Sequence, residues 1–217
     1  MRSGIALCSP AHEGVGVNHQ RISIAGPAGR LQAIYQPGRA DKPKVVICHP
    51  HPCYGGTMRN RVVYWMARAF EEQGCAVLRF NFRGVEQSEG VWDNGVGESD
   101  DAHAALDWLD RQQPATPLWL AGFSFGCYAG LRAARHDERV HRMFAVSPAV
   151  EHYSFNFMAG EFRPLTIIQG ERDEVVSADA VIRWAQTVPH AEVIRVADAG
   201  HFYPNHQHEL QQALSVC

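Results

Sequence analysis

Two apolar spacings take turns along this chain: short unbroken runs that suit strands buried on both faces, and longer segments whose apolar positions recur with helical spacing. The first stretch is different. Arg21 to Pro37 alternates apolar and polar residues on both sides of Gly26-Pro27-Ala28-Gly29, which predicts an antiparallel hairpin at the exposed edge of a larger sheet. Lys44 to His49 predicts a buried strand, and Arg61 to Gln73 a helix with Val62, Met66, Ala69 and Phe70 on one face, ended by Gly74. Cys75 to Phe82 predicts a second buried strand opening into a glycine-rich loop from Arg83 to Gly97. Asp100 to Gln112 then predicts a helix with Ala104, Ala105, Trp108 and Leu109 inward. Leu118 to Ala121 is a strand bounded by Pro117 and Gly122, followed by a helix from Phe125 to Arg135. The remainder predicts strands over Arg142 to Ser147, Pro164 to Gly170 and Ala191 to Val196, with helices over Ala178 to Thr187 and from about Asn205.

Strands alternating with helices imply an α/β fold: a mostly parallel sheet, covered on both faces, with right-handed crossovers. The 217 residues contain no repeat, low-complexity tract or linker, so one domain over the whole chain is expected. In such sheets functional side chains gather on loops at the carboxyl ends of strands. A net charge of −3 gives no strong attraction to nucleic acid or anionic membranes, and neither is expected as a partner. Met1 to Pro10 lacks the apolar core of a signal peptide, and no apolar run approaches a membrane span. The six cysteines, Cys8, Cys48, Cys53, Cys75, Cys127 and Cys217, show no Cys-x-x-Cys spacing and several fall in apolar runs. They read as the reduced, packed thiols of a cytoplasmic protein.

The chemistry centres on Gly122-Phe-Ser-Phe-Gly126, between the strand ending near Ala121 and the helix beginning at Phe125. A strand that reverses this sharply into a helix leaves no room for side chains at the two glycines. It pushes the Ser124 hydroxyl out at the carboxyl edge of the sheet, at a helix N-terminus that favours negative charge. The pattern predicts a nucleophile elbow.

A serine hydroxyl is a weak nucleophile near neutral pH and needs a base within hydrogen-bond reach. His201 follows the strand ending at Val196, and Asp173 follows the strand ending at Gly170, so the chain order is Ser, Asp, His. His201 is the expected base, with Asp173 holding its tautomer. Asp198 and Glu171 are competing acids, but Asp198 begins the same loop as His201 and would have to fold back to reach it.

Acyl transfer also needs donors for a developing oxyanion. The Phe125 N–H, at the start of the helix, is the first. The second is expected from His49-Pro-His-Pro-Cys-Tyr-Gly-Gly-Thr57, where Pro50 and Pro52 have no N–H. His51, Cys53 and Tyr54 remain, and Tyr54 is favoured because Gly55 and Gly56 let the backbone approach a ligand. His49 with His51, or His206 with His208, lacks a Cys or carboxylate partner at ligand spacing, so no metal or cofactor is expected.

His49-Pro50-His51-Pro52, Gly55-Gly56-Thr57-Met58 and Asn81-Phe82-Arg83-Gly84-Val85, together with the elbow, resemble the α/β-hydrolase superfamily. Within it the chain is similar to a small group related to dienelactone hydrolase, and the resemblance runs from Ile22 onwards. It implies the α/β-hydrolase fold and a hydrolase activity. Two departures stand out: Glu86 occupies a position where the resemblance implies glycine, and Ser124 stands where dienelactone hydrolase has cysteine, which weakens any transfer of its lactone substrate.

Only Ser147 to Arg163 separates two of the strands, too short for a folded cap, so a shallow, open site and small or short-chain acyl substrates are expected. Tyr153, Phe155, Phe157 and Met158 in that segment either line an acyl pocket or pack on the core. Phe155 is the chosen pocket candidate, with His51 as a second substrate contact and Trp92 at the rim. The reading is a serine carboxylic-ester hydrolase. A thioesterase, lactonase or acyl-peptide hydrolase would use the same apparatus; an acyltransferase or a non-catalytic binding protein on the same fold are the alternatives.

Overall fold

A computed structural model describes residues 19–215. The reading of Met1 to Pro10, and Cys8 and Cys217, lie outside the described residues. One sheet of eight strands runs in the order β1-β2-β4-β3-β5-β6-β7-β8. The strands are β1 (Gln20–Gly26), β2 (Gly29–Gln36), β3 (Lys44–Cys48), β4 (Ala76–Phe80), β5 (Leu118–Phe123), β6 (Val140–Val146), β7 (Leu165–Gly170) and β8 (Ala191–Val196). The hairpin β1–β2 is antiparallel and joins the sheet antiparallel to β4; every other pairing is parallel. This is the α/β-hydrolase fold, with the predicted hairpin at its edge.

Helices α1 (Arg61–Glu72) and α5 (Gln207–Ala213) cover one face; α2 (Val96–Gln112) and α3 (Phe125–Arg135) cover the other, and α4 (Ala178–Ala185) packs on β7 and β8. On the α1 side, Val62, Met66 and Phe70 meet Val45, Ile47, Phe144 and Leu210. On the α2–α3 side, Leu106, Leu109 and Leu131 meet Val46, Leu78 and Leu120. The central strands β3 and β4 are buried along their whole length, which is why they read as unbroken apolar runs.

The helix expected at Asp100 begins four residues earlier, at Val96. Glycines in the preceding stretch suggested loop, yet each has a packing role. Gly95 starts the helix in a left-handed conformation (φ 88°), and buried Glu98 takes the N–H groups of Asp93 (2.9 Å) and Gly95 (2.7 Å). Arg83 lies directly on Gly97 while its guanidinium forms a bidentate pair with buried Asp101 (3.0 and 2.8 Å). The longer helix buries Ala102, Ala105, Leu106 and Leu109, leaving Ala104 and Trp108 only partly covered.

Glu86 adopts φ 49°, the left-handed conformation a glycine holds without strain, so the position keeps the backbone shape the resemblance implied. Its carboxylate takes the Asn81 Nδ2–H (2.9 Å) and pairs with Arg59. Between β6 and β7 the chain forms one short 3₁₀ turn (Asn156–Met158) packed on α3, and no cap. Cys48, Cys75 and Cys127 are buried free thiols and Cys53 an exposed one. Among the described residues no helix is long and apolar enough to cross a membrane.

Candidate active site

Ser124 sits between β5 and α3 at φ 55° and ψ −119°, a conformation that costs a residue bearing Cβ of order 1–3 kcal/mol. The surrounding backbone enforces it. A Cβ at Gly122 would lie 2.5 Å from the Gly126 carbonyl oxygen, and one at Gly126 would lie 2.3 Å from that of Cys48. The strand end, the helix start and the loop after β3 therefore touch through backbone alone. The side-chain oxygen faces the carboxyl edge of the sheet, and the N–H of Phe125, first in α3, has no intrahelical partner.

His201 Nε2 lies 3.1 Å from Ser124 Oγ, and His201 Nδ1 lies 2.9 and 3.0 Å from the two oxygens of Asp173. Asp173 Oδ1 also accepts the N–H groups of Val175 (2.9 Å) and Val176 (2.8 Å). Burial pushes the Asp173 carboxyl up, but the His201 hydrogen bond and charge, with those two N–H groups, outweigh it and hold it below the ordinary carboxylate range. The carboxylate is thus ionised at neutral pH, and Nδ1 carries the proton that points at it. Asp198, the competing acid, is exposed and pairs outward with Arg172 (2.6 Å); Glu171 pairs with Arg195 (2.9 Å).

The loop after β3 changes one expectation. Residues Pro52–Tyr54 form a 3₁₀ turn in which the Tyr54 N–H donates to the His51 carbonyl (3.1 Å) and the Cys53 N–H to His51 Nδ1 (3.1 Å). Tyr54 is therefore not an available oxyanion donor, and neither is Cys53. Among the described residues, the His51 N–H has no acceptor. The peptide that carries it is oriented from the other side, because His49 Nδ1–H donates to the Pro50 carbonyl (2.6 Å) while His49 Nε2 accepts the Phe82 N–H (3.0 Å). Complete burial lowers the His49 pKa to about 3, so the ring is neutral with both nitrogens used and is no metal ligand.

Pro50, His51, Tyr54, Asn60, Ser124, Val175, His201 and Phe202 line a cleft of about 270 Å³. The His51 ring packs against Tyr54 and Trp92 (4.6 Å each) and Phe125 (5.1 Å), so Trp92, expected at the rim, supports His51 and is not itself a lining residue. Phe155 is not a lining residue. It is 3% exposed, packed on Trp184 (5.0 Å) and Tyr128 (5.7 Å), because the short β6–β7 connection must cover the end of α3. Phe155→Ala is accordingly expected to lower stability by about 3–5 kcal/mol and leave the ratio of short- to longer-chain ester turnover unchanged. Urea unfolding and an ester series check the two halves.

One group of potential metal ligands occurs among the described residues, His103, Asp107 and Asp137, at the amino end of the sheet. Both carboxylates there are taken by Arg139 (2.5 and 2.6 Å), which leaves the group no free pair of anions for a cation.

A strained serine on a strand-to-helix turn, facing an imidazole and a carboxylate in a sheet of this order, is the arrangement of a lidless α/β serine hydrolase. The chain belongs to the X-Pro dipeptidyl-peptidase (S15) family, whose profile matches residues 30–213. It is similar to an α/β serine hydrolase without lid from Xanthomonas campestris (36% identity, TM-score 0.82, covering 90% of this chain and 91% of that one). It is also similar to an α/β serine hydrolase homologue from Coxiella burnetii (37% identity, TM-score 0.85, 93% and 98% covered). An uncharacterised protein of Rickettsia prowazekii is 41% identical over 166 residues, 74% of this chain and 70% of its own. The protein is a hydrolase.

Proposed function

We propose that the protein is a serine esterase acting on small, neutral carboxylic esters through an acyl-enzyme. The observation that carries this reading is the unbroken hydrogen-bonded line from Ser124 Oγ through His201 to Asp173. Ser124 Oγ attacks the ester carbonyl as its proton passes to His201 Nε2, and Asp173 stabilises the resulting imidazolium. The N–H groups of Phe125 and His51 hold the oxyanion. His201 then protonates the leaving alcohol, and in the second half-reaction it takes a proton from the water that cleaves the acyl-enzyme.

The cleft supports the substrate class. At about 270 Å³ it falls at the small end of ligand pockets. Its lining is apolar apart from Asn60, Ser124, the Tyr54 phenol and the two imidazoles, and no Lys, Arg, Asp or Glu belongs to it. A carboxylate-bearing lactone would find no cation there, and the free ammonium of a dipeptidyl substrate no anion.

The family match keeps peptide hydrolysis as the second reading, and one panel separates them. p-Nitrophenyl acetate and butyrate are expected to exceed the octanoate in kcat/KM by about tenfold or more, because the small cleft has no room for the longer chain. An X-Pro p-nitroanilide is expected to be turned over more slowly than any of these. Faster cleavage of the anilide than of the short esters would replace the esterase reading with a peptidase one.

A further inference from the structure

Gln169, next to last in β7, is fully buried and belongs to no step described above. Its Nε2 faces three acceptors: Asp173 Oδ2 (3.0 Å), the Gly170 carbonyl (3.2 Å) and the Val176 carbonyl (3.2 Å). Its Oε1 is buried with no partner. Turning the amide over would aim that oxygen at all three acceptors, so the orientation is set by electrostatics. A buried acceptor left unpaired costs on the order of 1–3 kcal/mol. The side chain is held for what its NH₂ group donates to.

We propose that Gln169 is a positioning residue for the acid: its amide fixes the second oxygen of Asp173, so that the carboxylate faces His201 with both oxygens in place. The inference rests on the proposed serine-hydrolase mechanism. Asp173 Oδ1 is secured by two backbone N–H groups, whereas Oδ2 has only His201 and Gln169. Without the amide the carboxylate can pivot about Oδ1, and Oδ2 is no longer held on the His201 Nδ1–H.

The other titratable groups around this pair are few. Glu174 Oε2 accepts the His201 N–H (3.1 Å), buried Tyr203 lies beneath the His201 loop with its hydroxyl on the Ile168 carbonyl (3.0 Å), and Arg172 points outward to Asp198. Neither Glu174 nor Tyr203 contacts the Asp173 carboxylate by a hydrogen bond, so the amide is the side chain that shares the carboxylate with His201.

The test is the pH dependence of the labelling rate of Ser124 by a fluorophosphonate, which reads the triad without assuming an ester preference. Gln169→Leu, similar in size but with no donor, is expected to slow labelling about tenfold, the effect of one charge-assisted hydrogen bond. Gln169→Glu is expected to label at near the wild-type rate while the introduced carboxyl is protonated and can donate. It then loses rate as pH rises and that group ionises against Asp173, a change of profile that a packing role does not produce. Circular dichroism melts establish that both variants are folded. Folded variants in which Gln169→Leu labels at the wild-type rate, or Gln169→Glu follows the wild-type profile even if scaled down, would overturn the proposal and leave the hydrolase mechanism standing. A wild-type protein that does not label would overturn both.

Discussion

Asp173→Asn is expected to lower kcat at neutral pH by about 10³–10⁴-fold while the protein stays folded. The reason lies in how an amide must sit in that position. The N–H groups of Val175 and Val176, at 2.9 and 2.8 Å, require an acceptor where Oδ1 is, so the asparagine oxygen takes that place. Its NH₂ group then replaces Oδ2, 2.9 Å from His201 Nδ1. A donor there forces Nδ1 to accept, which leaves the imidazole proton on Nε2, facing Ser124. An imidazole in that tautomer cannot take the serine proton. Asp198→Asn, which alters an exposed ion pair with Arg172, is expected to keep near-wild-type kcat. Steady-state rates of the two variants on a short-chain ester make the comparison. A slow Asp198 variant beside a fast Asp173 variant would transfer the role.

The second large effect is expected from Gly126→Ala. The new methyl would lie 2.3 and 2.6 Å from the carbonyl oxygens of Cys48 and His49, and backbone cannot step aside as a flexible side chain can. Relief requires moving the end of β3, and with it the Pro50–His51 peptide whose N–H is the proposed second oxyanion donor. Losing one such donor costs about 10²–10³-fold in kcat, and the overpacking itself costs about 1–3 kcal/mol. Gly160→Ala is the control. That glycine is also left-handed (φ 73°) but has nothing within 4 Å of its would-be Cβ, so it is expected to lose about 1–2 kcal/mol and no activity. Thermal melts and kcat on the same ester separate local strain from displacement of the loop.

Most of the fold was legible because burial writes itself into spacing. Strands β3 and β4 are buried along their whole length and read as apolar runs; the edge hairpin is half exposed and reads as alternation. The helix after Ser124 was found at its observed bounds, Phe125–Arg135, since the Gly-x-Ser-x-Gly turn itself marks where the strand ends and the helix starts. The early start of α2 was hidden because Gly95 and Gly97 look like loop residues until Glu98 and Arg83 are seen to use them.

The side chains that converge on the cleft were legible from chain order and strand ends. The contacts made by single N–H groups were not. Whether Tyr54 or His51 offers a free donor depends on a hydrogen-bonded turn three residues long, which the sequence Pro52-Cys53-Tyr54 does not disclose. Phe155 carried the same pattern whether it lined a pocket or capped α3. Gln169 gave no signal at all, because a glutamine closing an apolar strand reads as the strand reaching solvent, whereas this one is fully buried.

In the proposed mechanism the substrate's acyl group rests on Ser124 between two half-reactions. The direct measurement is acid quenching of the protein during turnover of p-nitrophenyl butyrate, followed by intact mass and peptide mapping. A single butyryl group is expected on the peptide bearing Ser124, absent in Ser124→Ala, which also loses turnover. Steady release of p-nitrophenol by folded Ser124→Ala at the wild-type rate, or a butyryl group mapped to another residue, would contradict it.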